Sequence, residues 1–154
     1  MTLFVLTGLP GSGKSTHAGA LVAATGARYV EMDAEVRERG LSLVDHEARF
    51  ALQPAVEASI PPLLASGQNV VAEFGSWTRE ERDRLRGLAA ASGARVELHF
   101  VDAAVSVCAA RVRARGGLGA EALARDVIEG SAHLFERPTQ EEAAGYDDFV
   151  TVVT

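Results

Sequence analysis

The sequence GLPGSGKS occupies residues 8–15 and is followed directly by Thr16. It joins two segments of different character. Thr2–Thr7 (TLFVLT) is apolar and branched, as expected for a buried parallel strand. The residues from about Lys14 to Thr25 are predicted to form a helix that Gly26 ends. The chain therefore opens with a strand, a glycine-rich turn and a helix, which is the start of an alternating α/β pattern.

The glycine-rich turn fits the Walker A pattern, in the strand–turn–helix context that this pattern requires. Glycines permit backbone angles that side chains block, so consecutive N–H groups can curl around phosphate oxygens. The predicted helix adds the positive end of its dipole. A chance match in a glycine-containing loop is the alternative. We assign nucleotide binding to Gly8, Gly11, Ser12, Gly13, Lys14, Ser15 and Thr16.

Lys14 is the only lysine, because the other 14 of the 15 basic residues are arginine. Its place inside the glycine-rich turn indicates a role that arginine could not fill. An ammonium group is a compact point charge that can reach the β- and γ-phosphates of a nucleotide, and we expect Lys14 to be catalytic. The hydroxyl of the next residue, Ser15, is the expected ligand of Mg²⁺.

Further segments with strand character alternate with helical ones. The strands are predicted at Arg28–Met32, Asn69–Phe74, Ala94–Val101 and near Phe149–Val153. With the first strand they predict an α/β fold whose five-stranded parallel sheet is covered on both faces. Ligands of such sheets bind beyond the carboxyl ends of the strands. Gly8, Asp33 and Glu73 are predicted to lie at such ends.

The helices between these strands have recognisable starts. Thr78 and Glu81 form a capping-box pattern, and Asp102 is expected to cap the helix that follows it. The expected helical ranges are 34–66 with interruptions at its prolines, 78–92, 102–115 and 120–134.

The bulk composition limits the class of protein. The 154 residues, 47% hydrophobic and 23% charged, predict one globular domain over residues 1–154. Cys108 is the single cysteine, which excludes an internal disulfide and a cysteine-based zinc site. No segment resembles a signal peptide or approaches the ~20 apolar residues of a membrane span, so we expect a cytoplasmic location. A net charge of −6 disfavours a protein that grips long nucleic acid.

The single lysine also narrows the class of nucleotide-binding protein. GTPases read guanine with an Asn-Lys-x-Asp motif, which cannot exist here, and motor ATPases generally have a longer core. GLPGSGKST at 8–16, an acidic residue ending the second strand, and an Arg-x-x-x-Arg helix together resemble the small P-loop kinases. This group includes the 5′-kinase domain of polynucleotide kinase, zeta toxins and chloramphenicol phosphotransferase. The resemblance spans Thr2–Thr154.

The resemblance implies a three-layer α/β/α fold with strand order 2-3-1-4-5, and ATP and Mg²⁺ as cofactors. Asp33 matches the general base of the group, a carboxylate that accepts the proton of the acceptor hydroxyl. The alternative is that Asp33 only caps the next helix. Arg37 matches the substrate-binding arginine of zeta-like kinases, with a solvated helix charge as the alternative. Glu31 is expected to point to the opposite face.

Arg111 and Arg115 match the lid arginines of the group and are expected to be catalytic. Their spacing of four places both on one helical face, while Arg113 points elsewhere. Guanidinium groups that arrive when the site closes can neutralise charge on the transferred phosphoryl group. The lid is expected at about 111–120, with freedom from Gly116, Gly117 and Gly119. An arginine-rich solvent face is the alternative.

The acceptor is expected to bind between the segment 34–66 and the lid. Glu73 stands where many of these kinases carry Asp, and its longer side chain serves either the metal or the substrate. Arg49, Arg79 and Arg82 lie in segments that flank the acceptor pocket in related kinases, with a surface ion pair as the alternative for each.

Together these features predict an ATP-dependent phosphotransferase that moves the γ-phosphoryl group to a hydroxyl of a small-molecule acceptor. One alternative is a polynucleotide 5′-hydroxyl kinase, in which Arg49, Arg79 and Arg82 line an electropositive channel to Asp33. The other is a regulatory nucleotide-binding module or slow ATPase without an acceptor.

Overall fold

A computed structural model describes residues 1–42 and 45–154. One parallel sheet contains β1 (Thr2–Thr7), β2 (Arg28–Glu31), β3 (Val70–Glu73), β4 (Arg95–Asp102) and β5 (Asp148–Val153). The strand order is β2-β3-β1-β4-β5. The expected five-stranded parallel sheet and its order 2-3-1-4-5 are therefore confirmed.

Helices connect successive strands and cover the sheet. They are α1 (Lys14–Thr25), α2 (Met32–Glu38), α3 (His46–Glu57), α4 (Ile60–Ala65), α5 (Arg79–Gly87), α6 (Val105–Arg115), α7 (Ala120–Ala122) and α8 (Gln140–Ala143). A π-helix, Leu123–Glu129, continues α7, and short 3₁₀ turns occupy Ala90–Ser92 and Ala132–Leu134. Over residues 1–42 and 45–154, no helix is long and apolar enough to cross a membrane.

The central strand β1 is enclosed on both sides because its side chains are apolar in both directions. Leu3 and Val5 pack in the cluster that includes α4 and α5, whereas Phe4 and Leu6 pack with α1 on the opposite face. This layering brings the carboxyl ends of β1, β2 and β3 to one edge of the sheet. The glycine-rich turn and the acidic residues that follow β2 and end β3 meet at this edge.

Two helix starts differ from the sequence predictions. Met32 begins α2 instead of ending β2, because its side chain is buried in the core under that helix, so Asp33 lies in the first helical turn. Asp102 does not cap α6; it ends β4. Its carboxylate accepts two hydrogen bonds from the Arg137 guanidinium, at 3.0 and 2.6 Å. Ala104 is the residue that precedes α6.

The expected helical segment at 34–66 comprises most of α2 and all of α3 and α4. Residues 43 and 44 of this segment lie outside the described residues. Pro54 lies inside α3, and Pro61 lies in the first turn of α4, where a missing N–H is tolerated.

The predicted capping box that opens α5 is confirmed. The Thr78 hydroxyl accepts a hydrogen bond from the Glu81 N–H at 3.2 Å, and the Glu81 carboxylate accepts one from the Thr78 N–H at 3.0 Å. α5 ends at Gly87, earlier than the predicted end at Ser92. The helix expected at 120–134 is divided between α7, the π-helix and a 3₁₀ turn.

Candidate active site

The loop after β1 passes so close to two other segments that only glycine fits at two of its positions. A Cβ atom on Gly8 would lie 2.5 Å from the carbonyl oxygen of Val101, and one on Gly11 would lie 2.5 Å from that of Cys108. Both glycines also have positive φ, at 153° and 81°, which L side chains rarely adopt. The end of β4 and the helix α6 therefore hold the loop in its curled shape.

Arg111 holds the same loop from the side of α6. Its guanidinium donates to the carbonyl oxygens of Gly11 at 3.3 Å and Ser12 at 3.4 Å, and to Thr154 Oγ1 at 2.9 Å. The Thr154 hydroxyl in turn donates to the Ser12 carbonyl at 2.7 Å. These bonds occupy loop carbonyls, so Arg111 supports the shape of the loop in this structure. Its catalytic role stays a prediction.

Lys14 begins α1 and is buried, with only 8% of its surface exposed. Its ammonium donates to the Leu9 carbonyl at 2.9 Å and so lies against the loop. Burial lowers the pKa of Lys14, and the nearby carboxylates of Glu73 and Asp33 oppose that shift. The only lysine of the chain is therefore held beside the loop and within the field of two acidic residues.

Ser15 and Glu73 bring oxygen ligands together next to Lys14. The Ser15 hydroxyl lies 3.5 Å from Glu73 Oε1, and the Tyr29 hydroxyl donates to Glu73 Oε2. Mg²⁺ prefers oxygen ligands in proteins, so this hydroxyl–carboxylate pair fits the ion. Ser15 and Glu73 are therefore the residues that would hold Mg²⁺ in this site.

Asp33 lies at the same edge and pairs with an arginine from the acceptor segment. Arg49, on α3, donates to Asp33 Oδ1, and its second terminal nitrogen lies 3.5 Å from the Phe74 carbonyl oxygen. The Asp33 side chain keeps 43% of its surface exposed. A carboxylate that is both anchored and accessible can still meet an incoming hydroxyl.

Glu31 also belongs to this acidic group, and the expectation that it points away is wrong. Residues two apart on a strand share a face, so a continued strand would itself have placed Glu31 with Asp33; in the structure β2 ends at Glu31 and α2 follows. Glu31 is aligned with Glu73 on the neighbouring strand, and Arg37 pairs with Glu31 at 3.6 Å. Burial raises the pKa of Glu31, with further contributions from Glu73 and Asp33.

The two remaining arginines of α6 differ in their partners. Arg113 donates to Glu121 at 2.8 Å and to Glu129 at 2.7 Å, which fixes it toward the π-helix. Across the described residues no carboxylate forms an ion pair with Arg115. Its positive charge nonetheless acts on Lys14 and contributes to lowering the pKa of that residue. Arg115 is thus an exposed, available guanidinium on the side of the phosphate-binding loop.

Family comparison agrees with this arrangement. A family model described as an AAA domain matches residues 3–138. The chain belongs to this AAA domain family. An adenylyl-sulfate kinase from Shewanella denitrificans is 34% identical over 155 residues, which cover 91% of this chain and 70% of the relative.

Solved structures share the fold of this AAA domain. Kti12 from Chaetomium thermophilum, in complex with ADP-AlF3, has a TM-score of 0.75 and 20% identity, covering 98% of this chain and 88% of that one. A gluconokinase from Sinorhizobium meliloti 1021 has a TM-score of 0.66 and 26% identity, covering 99% and 82%. A chain of a Pnkp1/Rnl/Hen1 complex has a TM-score of 0.63 and 25% identity, covering 71% and 38%. The expected membership of the small P-loop kinases is confirmed.

Two of the arginines predicted to flank the acceptor pocket form ion pairs with carboxylates other than Asp33 in the AAA domain. Arg79 begins α5 and forms exposed ion pairs with Asp83 at 3.6 Å and Glu141 at 3.4 Å, so these contacts do not bring it to Asp33. Its substrate-binding role stays a prediction. Arg82 is fully buried and binds both carboxylate oxygens of Glu142, at 2.6 and 2.9 Å. The surface ion pair considered for Arg82 is therefore wrong.

Sequence reasoning did not assign three residues that contact the site or support it. Tyr29 binds Glu73, Thr154 binds the loop, and Glu142 neutralises Arg82. For Tyr29 a signal was present, since a residue two positions before Glu31 shares its face on a strand. The partners of Thr154 and Glu142 lie 142 and 60 residues away, and no local pattern reports them.

Proposed function

We propose that this AAA domain is an ATP-dependent phosphotransferase that moves the γ-phosphoryl group to a hydroxyl of a small-molecule acceptor. One observation carries the proposal: Lys14, the Ser15–Glu73 pair and Asp33 converge at the edge where the glycine-rich loop lies. A phosphate-binding loop alone would support nucleotide binding. Transfer to a hydroxyl also needs a general base, and the accessible Asp33 carboxylate beside the loop can supply it.

The proposed mechanism assigns each step to a group in this site. The loop N–H groups and Lys14 hold the phosphates, and Ser15 and Glu73 would hold Mg²⁺. When bound, Mg²⁺ supplies positive charge that neutralises the β- and γ-phosphates. Asp33 accepts the proton of the acceptor hydroxyl as the acceptor oxygen bonds to the γ-phosphorus, and the bond from that phosphorus to the oxygen of ADP breaks so that ADP leaves. Arg115 approaches from the lid at 111–120 and stabilises the charge on the transferred group.

A cavity of about 640 Å³ beside the loop offers space for the nucleoside part of ATP. Leu9 and Thr154 line it together with the mostly apolar segment from Phe100 to Val105 and with Phe135. Its lining is suited to a flat, weakly polar ring. We assign the acceptor to the region where α3 carries Arg49 next to Asp33 and α2 carries Arg37.

A small-molecule acceptor is favoured over a polynucleotide because two of the three arginines expected to line an electropositive channel are paired with carboxylates other than Asp33. Of the three arginines proposed to line it, Arg82 is buried and Arg79 is engaged by two carboxylates. Arg49 alone faces Asp33. The likeness to a chain of the Pnkp1/Rnl/Hen1 complex keeps the polynucleotide acceptor as the second candidate. Strong weakening of oligonucleotide binding with salt would support that candidate.

A phosphoryl-transfer screen tests the proposal. The purified protein is incubated with Mg²⁺ and γ-labelled ATP, together with a panel of small alcohols or with 5′-hydroxyl oligonucleotides. We expect label on a small alcohol. Label on oligonucleotides alone would select the second candidate. Phosphate release that no acceptor accelerates would select the regulatory ATPase and overturn the proposal.

Asp33→Asn is expected to lower turnover by ~10²-fold, because an amide cannot accept the acceptor proton. ADP affinity in calorimetry should be unchanged, since Asp33 is not assigned to the phosphates. Glu35→Gln is the matched control. Glu35 lies two residues further along α2 and pairs with Arg39 at 3.6 Å. A fully active Asp33→Asn variant would remove the general base from the mechanism.

Arg115→Ala is expected to lower turnover by ~10²-fold, as removal of one donor to transition-state charge does elsewhere. Arg113→Ala is the internal control, because Glu121 and Glu129 direct that side chain away from the loop. Steady-state kinetics with the acceptor from the screen gives both values. Equal losses for the two variants would contradict the assignment of Arg115 to the lid.

A further inference from the structure

Tyr29 extends the site by one side chain beyond the residues assigned above. It lies on β2, and its hydroxyl donates to Glu73 Oε2. The other oxygen of the same carboxylate, Oε1, faces the Ser15 hydroxyl at 3.5 Å. A tyrosine, a carboxylate and the expected metal-binding serine thus form a chain of contacts from the second strand to the phosphate-binding loop.

Glu73 is a buried carboxylate that lies among other charged groups at the edge of the sheet. It is 9% exposed, and Glu31 is aligned with it on the adjacent strand. Asp33 adds a further carboxylate, with Lys14 as the cation that acts on both Glu73 and Asp33. The Tyr29 hydroxyl gives this buried carboxylate a neutral hydrogen-bond partner among the surrounding charges.

The Tyr29 hydroxyl contacts both other members of this chain, because it is also within hydrogen-bonding reach of the Ser15 side chain. Toward Glu73 the phenol donates, because a carboxylate oxygen can only accept. Because this donor occupies Oε2, the carboxylate cannot rotate freely, and Oε1 is left directed at Ser15. Groups that hold a metal ligand in place in this way commonly change metal affinity 10- to 100-fold when removed.

We infer that Tyr29 is a positioning residue for the Mg²⁺–nucleotide site: its hydroxyl fixes the Glu73 carboxylate in the orientation that serves Ser15. The inference rests on the proposed function, because it takes Ser15 and Glu73 as the residues that hold Mg²⁺. It assigns a role to a strand residue outside the glycine-rich loop. The role concerns metal-dependent nucleotide binding and is separate from the acceptor.

Calorimetry with ADP, in the presence and absence of Mg²⁺, tests the inference without an acceptor. For the unchanged protein we expect Mg²⁺ to strengthen ADP binding. Tyr29→Phe keeps the ring and loses the hydroxyl, so the strengthening by Mg²⁺ should fall about 10-fold while metal-free ADP affinity stays the same. An equal loss with and without Mg²⁺ would indicate a merely structural role and overturn the inference.

Tyr146→Phe is the matched control. Tyr146 is buried, at 8% exposed, and its hydroxyl has no hydrogen-bond partner among the described residues. Removing it should leave the effect of Mg²⁺ unchanged. If the unchanged protein does not bind ADP at all, the proposed function itself fails, whereas normal Mg²⁺ dependence in Tyr29→Phe removes only the role of Tyr29.

A double-mutant cycle covers the case in which Tyr29→Phe alters the fold. If Tyr29 acts through Glu73, adding Tyr29→Phe to Glu73→Gln should cause no further loss of the Mg²⁺ effect. Thermal unfolding of the four proteins accompanies the binding data. Fully additive losses would show that the two residues act independently, which contradicts the inference.

Discussion

Lys14→Ala is expected to abolish measurable phosphoryl transfer, with a loss of turnover of ~10³-fold or more. A single preorganised donor to developing charge is worth about 10²–10³-fold, and Lys14 also contributes a full positive charge close to the phosphates. Transfer of label from ATP in the acceptor screen measures the loss of turnover, and calorimetry with Mg²⁺ and ADP measures the accompanying loss of nucleotide affinity.

The fold should tolerate Lys14→Ala, which separates this prediction from a defect in folding. Burial lowers the pKa of Lys14, so the ammonium is held in the folded protein at a cost in desolvation. Replacement by alanine removes that cost together with the bond to the Leu9 carbonyl. We therefore expect a thermal unfolding midpoint close to that of the unchanged protein.

Lys14→Arg is the informative control, because it keeps the positive charge. The planar guanidinium is wider than an ammonium and must enter a space where Lys14 is 8% exposed. We expect it to restore little activity. Activity within a few-fold of the unchanged protein in either variant would contradict the central role of Lys14.

The parts of this protein that could be predicted from sequence are those with local causes. The Walker A turn is one contiguous segment. Helical periodicity alone predicts that Arg111 and Arg115, four residues apart, share a face of α6 that Arg113 does not. The strand order followed from the resemblance to the small P-loop kinases. The capping box at Thr78 and Glu81 was predicted from a span of four residues.

The mistaken predictions had causes that lie far away in the chain. Asp102 has the usual character of a helix cap, but Arg137 binds its carboxylate from 35 residues further on. Met32 could extend a strand, but the core beneath α2 receives its side chain. Arg82 belongs to a largely charged helix, so its sequence context predicts a surface position. In the folded protein, however, Glu142 lies beside it and forms a buried pair with it. Such partners are set by the packing of layers rather than by neighbouring residues.

The phosphate-binding loop illustrates how local and distant causes combine. Its glycines belong to a motif of eight consecutive residues. Gly8 and Gly11 are nonetheless required because the carbonyl oxygens of Val101 and Cys108, from distant segments, leave no room for a Cβ atom. Arg111, from α6, and Thr154, which follows β5, then donate hydrogen bonds to its carbonyl oxygens. A motif of this kind therefore predicts the chemistry of the loop, whereas the surrounding fold determines its rigidity.

Arg82→Leu is expected to lower the free energy of unfolding by about 3–5 kcal/mol, because it leaves Glu142 as a buried carboxylate without its partner. Arg82 is fully buried, and it also donates to the carbonyls of Ser76 at 3.0 Å and Trp77 at 3.1 Å. A loss of this size is a large part of the ~5–15 kcal/mol typical of a domain. Urea unfolding measures it.

The double variant Arg82→Leu with Glu142→Leu should regain much of this loss, since no charge then remains buried. Recovery should be incomplete, because Ser76 and Trp77 lose a donor. Ser76 has a φ of 50°, unusual for a residue other than glycine, and its carbonyl also accepts a bond from the Thr7 hydroxyl at 2.7 Å. The buried pair therefore stabilises a strained turn that directly follows β3 and contacts the end of β1.

Arg79→Leu is the matched control on the same helix. Arg79 pairs with Asp83 and Glu141 in exposed positions, where ion pairs contribute little to stability. Its unfolding midpoint should stay near that of the unchanged protein. If Arg82→Leu shifted the midpoint no more than Arg79→Leu, the buried pair would not be what holds the turn, and the link from α5 through Ser76 to Thr7 would be wrong.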